Sequence, residues 1–239
     1  MVAVEFVPSL GVLLSNALYL SSAPAVARAA SSGRIGSLNM LPQSLMVLST
    51  FAWMSYGLSV PNAYIVMSNL PGSVAAVAFF VALLPLLPHE RARERAQVQC
   101  VLVVGAALQV VLWSWLVLSG ATHAEIVFAL GAYGSAICVV LFASPLSTVQ
   151  EVLLTRNAAS IYAPLTFTQC ANCLMWTLYG LGIGDIWVYG PNGLGLGLGV
   201  VQLVLKLSYP STVRLSESEK GLFRKANASD EDSHSEDVA

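Results

Sequence analysis

Trp53-Met54-Ser55-Tyr56-Gly57 and Trp176-Thr177-Leu178-Tyr179-Gly180 are two versions of one string, and each is followed by an asparagine twelve residues past its glycine, Asn69 and Asn192. Prolines precede both copies, Pro24 and Pro42 in the first and Pro145 and Pro164 in the second, so the offset runs 121, 122 and then 123 residues. Small loop deletions leave such drift, and it marks an internal repeat. The background is apolar: 56% of the residues are hydrophobic, 10% are charged and the mean hydropathy is +0.71. That composition lies outside the ordinary soluble range, so a bilayer is the expected solvent. Matched Trp and Asn inside it read as one compact polar site built symmetrically within a membrane.

A helix needs about 20 mostly apolar residues to cross the hydrocarbon. Seven stretches qualify, at 5–27, 40–58, 63–87, 97–119, 125–153, 161–182 and 186–209. The first lacks the basic start of a secretory signal and its proline recurs in the second copy, so it is read as a mature span. All eleven Lys and Arg residues follow or end spans one, three, five and seven, and the loops at the other end carry none. By the positive-inside rule the arginine-bearing end is cytosolic, which places the N-terminus outside and the C-terminus in the cytosol. The plasma membrane is the expected location, with an internal membrane as the alternative.

Three helices reverse the chain's direction, so two tandem copies would be inverted unless one more helix intervened. The fourth span, carrying a single Gln109, belongs to neither copy and supplies it. The expected fold is therefore an all-α membrane protein with two parallel three-helix bundles joined by a linker helix, 3+1+3. Its parts are a first repeat at 1–90, the linker at 91–122, a second repeat at 123–209 and a cytosolic tail at 210–239. Counting from Pro42 at ~1.5 Å per residue puts Trp53 about 16 Å into a ~30 Å core. Asn69 lies about 9 Å in from the opposite end by the same rise. Trp53, Asn69, Trp176 and Asn192 can thus surround one molecule.

Indole faces stack against the C–H face of a sugar, and an Asn amide offers the donor and acceptor that hydroxyls require. Taken singly, a membrane Trp is an interface anchor and a membrane Asn is interhelical glue; repetition at one offset, away from helix ends, selects a substrate site for a neutral polyhydroxylated solute. No Asp or Glu lies deep in a span, Glu125, Glu151 and Asp185 being near ends, which argues against proton coupling. Asp185 is placed to accept a hydrogen bond from Tyr56 or Tyr179 and close the outer entrance. Pro24, Pro42, Pro145 and Pro164, read as lying inside the cytosolic halves of their helices, would act as four hinges.

Other features carry less. Cys170 and Cys173 have zinc-like spacing without the remaining ligands, so no metal is expected. No cofactor and no nucleic-acid partner are expected either. Asn192-Gly193-Leu194-Gly195-Leu196-Gly197-Leu198-Gly199 has the small-residue spacing of close helix packing. The tail, with Asp230-Glu231-Asp232 and Glu236-Asp237 among serines, reads as disordered. There Asn227-Ala228-Ser229 spells a glycosylation acceptor on the wrong side of the membrane, and Ser229, Ser233 and Ser235 beside acids are candidate phosphorylation sites.

The residues resemble the SWEET (MtN3/saliva) sugar transporters over nearly the whole chain to about 210. The strongest part runs from Ala143-Ser144-Pro145-Leu146-Ser147 through Pro164, Asn172 to Gly180, Asp185 and Pro191-Asn192-Gly193-Leu194-Gly195 to Val201-Gln202-Leu203. The first half matches through Ala23-Pro24, Leu41-Pro42-Gln43, Trp53 to Gly57 and Ser68-Asn69. The resemblance implies a facilitative bidirectional uniporter of mono- or disaccharides that works by alternating access. It implies a sugar pocket at Trp53, Asn69, Trp176 and Asn192, a cytosolic gate at the four prolines, an outer gate at Tyr56, Tyr179 and Asp185, and a homotrimer. Departures are Ser49 where the second half has Asn172, Ala23 before Pro24, and a short Ser59–Asn62 loop that leaves the outer gate on that side open. Glucose, fructose and sucrose are not distinguished. Pro42-Gln43 also fits a proton-coupled small-solute or amino-acid carrier of the PQ-loop type, but the deep carboxylate is missing. A seven-helix receptor shares the topology without the repeat, and an enzyme lacks its nucleophile, metal ligands and buried acids.

Overall fold

The computed structural model describes residues 2–36 and 38–211; the acidic tail, with its candidate acceptor Asn227 and serines, lies outside them. Among the described residues nine α-helices run in order: α1 (Val2–Leu20), α2 (Ala23–Ser32), α3 (Leu41–Ser59), α4 (Ala63–Leu83), α5 (Ala92–Leu118), α6 (His123–Leu141), α7 (Ala143–Thr155), α8 (Ala163–Ile183) and α9 (Ile186–Ser208). Helices α1 and α2 form one kinked span, as do α6 and α7, which gives the seven spans in a 3+1+3 order. Within each half the first and second spans pack on the third: α1 and α3 on α4, and α6 and α8 on α9. Across the halves α1 packs on α8 and α3 on α6, two contacts that the repeat interchanges. The linker α5 lies against α3, where Gln109 Nε2 and Trp113 Nε1 both donate to Ser55 Oγ at 3.3 and 3.2 Å.

Five spans are long and apolar enough to be recognised by composition alone. The other two, α3 and α8, are diluted by Ser44, Ser49, Thr50 and Ser55, and by Thr166, Gln169 and Asn172. These hydroxyls find partners within the protein: Ser44 and Thr50 donate to carbonyls of their own helix, Thr166 to the Tyr162 carbonyl at the start of its helix, and Ser55 accepts from the linker.

The prolines require a correction. Pro24 and Pro145 stand at the kinks, where the helix breaks at Ser21–Ser22 in one half and at Phe142 in the other. That difference in the kink contributes to the drift of the repeat offset. Pro42 and Pro164 do not bend anything: they occupy the first turns of α3 and α8, where the missing N–H has no intrahelical partner to lose. The prolines inside helices are Pro8, Pro71 and Pro191. Pro71 frees the Met67 carbonyl, and Asn16 of α1 donates to it at 3.3 Å. Span ends differ too. Helix α2 continues past Arg28 to Ser32, and α5 begins at Ala92, so Arg93 and Arg95 are helical rather than in a loop, beside an Arg91–Glu94 ion pair of 2.7 Å.

At the end free of Lys and Arg, α4, α6 and α9 each begin with a side-chain cap: Asn62, Thr122 and Asp185. Thr122 and Glu125 form a reciprocal capping box, which satisfies donors that the bilayer surface would otherwise leave open. The glycine closing each Trp-x-x-Tyr-Gly string lets two helices touch. A Cβ on Gly57 would lie 2.9 Å from Ile65 Cγ2, and one on Gly180 would lie 2.6 Å from the Tyr189 amide nitrogen. In the glycine run of α9 only one face is used. Gly195 meets Cys173 Sγ and Phe142, Gly199 meets Cys170 Sγ, and Gly193 and Gly197 meet nothing. Cys170 and Cys173 thus pack as small apolar groups.

Gly180→Ala is expected to lower stability by about 1–3 kcal/mol, the usual cost of overpacking, because its neighbour is backbone and cannot rotate away. Gly182→Ala, with open space around it, should leave the thermal midpoint in detergent unchanged. Equal midpoints for the two variants would refute the close approach of α8 and α9.

Candidate functional site

One cavity of about 470 Å³ runs between the two halves. It starts at the level of Trp53 and Trp176 and extends to Pro42, Pro145 and Gln202 near the arginine-bearing end. All four predicted pocket residues, Trp53, Asn69, Trp176 and Asn192, line it. Among the described residues its wall holds no Asp, Glu, Lys, Arg or His; its polar groups are asparagines, glutamines, serines, one tyrosine and cysteine thiols. Of the prolines, Pro42 and Pro145 line the cavity, whereas Pro24 and Pro164 stand outside it.

The indoles are held by crossed hydrogen bonds. Trp176 Nε1 donates to Ser15 Oγ on α1 at 3.0 Å, and Ser15 Oγ donates on to Asn172 Oδ1 at 2.8 Å. Trp53 Nε1 points at Cys138 Sγ on α6 at 3.3 Å. Positions 15 and 138 differ by 123, the offset of the Trp pair itself, so each half's tryptophan is oriented by the same position of the other half. Ser15, Asn172 and Cys138 were not singled out from sequence as site residues. A serine and a cysteine do not look like a pair until the offset is applied.

Toward the arginine-free end the cavity is shut. Tyr56, fully buried, donates through its hydroxyl to Asp185 Oδ2 at 2.7 Å. The mirror contact joins Asn62 Nδ2 to the Tyr179 hydroxyl at 2.8 Å. The same two residues cap helices: Asp185 Oδ1 accepts from the Trp187 and Val188 amides, and Asn62 Oδ1 accepts from those of Tyr64 and Ile65. The latch is therefore built into the start of α9 and of α4, and the short Ser59–Asn62 loop that seemed to lack a counterpart of Asp185 supplies it as Asn62. Behind the latch, Trp53 stacks edge-on against Tyr56 and Trp176 against Tyr179, with centroids 5.7 and 5.9 Å apart. A third tie between the halves lies nearby, where a ring nitrogen of His123 is 2.9 Å from the Ser59 carbonyl oxygen.

The wall pairs aromatic faces with uncharged donors and acceptors, and so suits a solute with C–H faces and hydroxyls. Near its far end Gln202 Nε2 donates to the Pro145 carbonyl at 3.3 Å, tying α9 to the kink.

Comparison with known proteins agrees with this arrangement. Residues 5–91 and again 128–214 match the family described as sugar efflux transporter for intercellular exchange. The chain is 27% identical over 201 residues to the bidirectional sugar transporter SWEET11 of Arabidopsis thaliana, spanning 84% of this chain and 68% of that protein. It is 29% identical over 209 residues to the sugar transporter SWEET1 of Drosophila pseudoobscura pseudoobscura, spanning 87% and 91%. A structure of a eukaryotic SWEET transporter superimposes with a TM-score of 0.75 at 23% identity, covering 86% of this chain and 96% of its own.

Tyr56→Phe removes a hydrogen bond to a carboxylate, worth about 1.5–3 kcal/mol. Labelling of the native Cys138 by a membrane-impermeant maleimide applied at the arginine-free face should then quicken about tenfold or more, as read by mass spectrometry. An unchanged rate would show that the Tyr56–Asp185 bond does not hold that end shut.

Proposed function

We propose, since the chain belongs to the SWEET family of sugar transporters, that it moves a neutral mono- or disaccharide in both directions by facilitated diffusion. The observation that carries this reading is the uncharged cavity between two repeats, walled by Trp53 and Trp176 with Asn69 and Asn192 beside them. A sugar ring lies between the indoles, and Asn192 serves its hydroxyls. The titratable carboxylate that a proton-coupled carrier uses has no candidate in this wall, which disfavours the PQ-loop-type alternative.

Alternating access follows from where the halves are joined. In the conformation described here the arginine-free end is latched by Tyr56–Asp185 and Asn62–Tyr179. The kinks beside Pro24 and Pro145, with Pro42 and Pro164 starting the neighbouring helices, are the proposed moving parts of the opposite gate. Opening the first end requires both latch bonds and the His123–Ser59 contact to break while that gate closes. The positive-inside rule makes the arginine-bearing end cytosolic, so this conformation is the inward-facing one, in a plasma membrane. Assembly into a homotrimer is proposed on family resemblance.

Proteoliposomes carrying the chain should exchange radiolabelled D-glucose or sucrose down a gradient, at rates unaffected by an imposed pH gradient. Failure to move either sugar, or a requirement for protons, would sink the uniporter reading. Asn192→Ala should abolish transport with expression intact; unimpaired transport would remove Asn192 from the pocket.

A further inference from the structure

The two halves differ where they face the cavity. On α4, Asn69 is 7% exposed and both ends of its amide are in use. Its Nδ2 donates to the Ile65 carbonyl at 2.9 Å and to Ser68 Oγ at 3.0 Å, and its Oδ1 accepts from the Tyr19 hydroxyl at 3.1 Å. At the same repeat position on α9, Asn192 is half-buried. Its Nδ2 donates to the Val188 carbonyl at 2.8 Å, the mirror of the Ile65 bond, and among the described residues no donor reaches its Oδ1.

One substitution between the repeats causes this. Residue 19 is tyrosine and its partner at the 123 offset, residue 142, is phenylalanine. Each ring rests on a glycine of the third span. A Cβ on Gly72 would overlap the Tyr19 ring, and one on Gly195 would come within 3.3 Å of Phe142 Cε1. Positions 69 and 72 are i,i+3 neighbours on one face of α4, so a ring resting on Gly72 can reach Asn69 with its hydroxyl. Without a hydroxyl, Phe142 leaves Asn192 Oδ1 to whatever enters the cavity.

We propose that Tyr19 is a specificity-determining residue of the transport site: its hydroxyl occupies the place of a substrate hydroxyl on Asn69, leaving Asn192 as the asparagine whose carbonyl receives the sugar. The proposal rests on the sugar-transport reading. A site that hydrogen-bonds a hydroxyl penalises the analogue lacking it. In this chain the asparagine carbonyls impose that penalty from the α9 side alone, so the pocket reads the sugar one-sidedly despite its symmetric frame.

The test compares wild type, Tyr19→Phe and Phe142→Tyr as full chains in proteoliposomes, using D-glucose or sucrose, whichever the wild type carries, and monodeoxy analogues of that sugar as competitors. Tyr19→Phe frees Asn69 Oδ1, so for at least one analogue the inhibition constant relative to the parent sugar should rise about two- to tenfold, the worth of one hydrogen bond. Phe142→Tyr occupies Asn192 Oδ1 and should shrink, by a similar factor, the discrimination against the analogue that wild type penalises most. A purely structural role would change maximal rate and leave these ratios alone. Ratios unchanged in both variants overturn the assignment of Tyr19 while sparing the transport reading; a wild type that moves neither sugar overturns the transport reading itself. Should Tyr19→Phe reach the membrane poorly, Phe142→Tyr decides alone, and an unchanged ratio there is also refuting.

Discussion

A bilayer core offers no water to an unpaired polar group, and this chain answers by satisfying the polar groups of one repeat with those of the other. Trp176 is oriented by Ser15 and Trp53 by Cys138; Tyr56 bonds to Asp185 and Asn62 to Tyr179. Each pair has one member in each half. Separating the halves at this level would leave buried donors and acceptors without partners, at about 1–3 kcal/mol for each group. The cavity is therefore a property of the pair, and each tryptophan's N–H is satisfied from the opposite bundle.

The apolar packing follows the same plan. At the latched end one core draws on both halves: Tyr56, Ile65 and Leu116 pack with Leu130, Trp176 and Val188. At the arginine-bearing end the cores are separate. One, with Val26, Met40, Leu83 and Val98, belongs to the first half and the linker; the other, with Val152, Ala158, Ile161 and Leu205, belongs to the second. Each is reinforced by polar ties: Arg95 donates to the Leu87 carbonyl in the first, and in the second Lys206 Nζ donates to the Ala158 carbonyl and Arg156 to the Tyr209 hydroxyl. Two bodies joined at one end and independent at the other can rock about the cavity between them, which is the mechanical requirement of alternating access.

The span count and the 3+1+3 order were legible because hydropathy, charge placement and the repeat agreed. That Trp53, Asn69, Trp176 and Asn192 line one cavity was legible because identical residues recur at one offset. The residues that support them were not, because the repeat has conserved positions there and changed the chemistry. Ser15 answers to Cys138, Ser49 to Asn172, and Asn62 to Asp185. Applying the 123 offset to Asp185 points to Asn62 directly, yet an amide and a carboxylate do not look alike as strings. Pro42 and Pro164 were misplaced for a different reason: proline at a helix start and proline inside a helix look the same in sequence, and only the backbone bonds of α3 and α8 separate them.

D-glucose and sucrose have no twofold axis, and for such sugars this sets a limit on how symmetric the site can be. A cavity with identical halves would offer a bound ring two equivalent poses and could not match both of its edges. The chain departs from symmetry at a few places around the cavity, and at the latch it keeps the paired positions while an amide replaces a carboxylate. Tyr19 faces Asn69 where Phe142 leaves Asn192 open, and a thiol replaces a hydroxyl beside one indole. The latch closes on the protein itself, so an amide at Asn62 can do there what a carboxylate does at Asp185. The wall closes on an asymmetric partner, so divergence between the repeats there decides how the substrate is held.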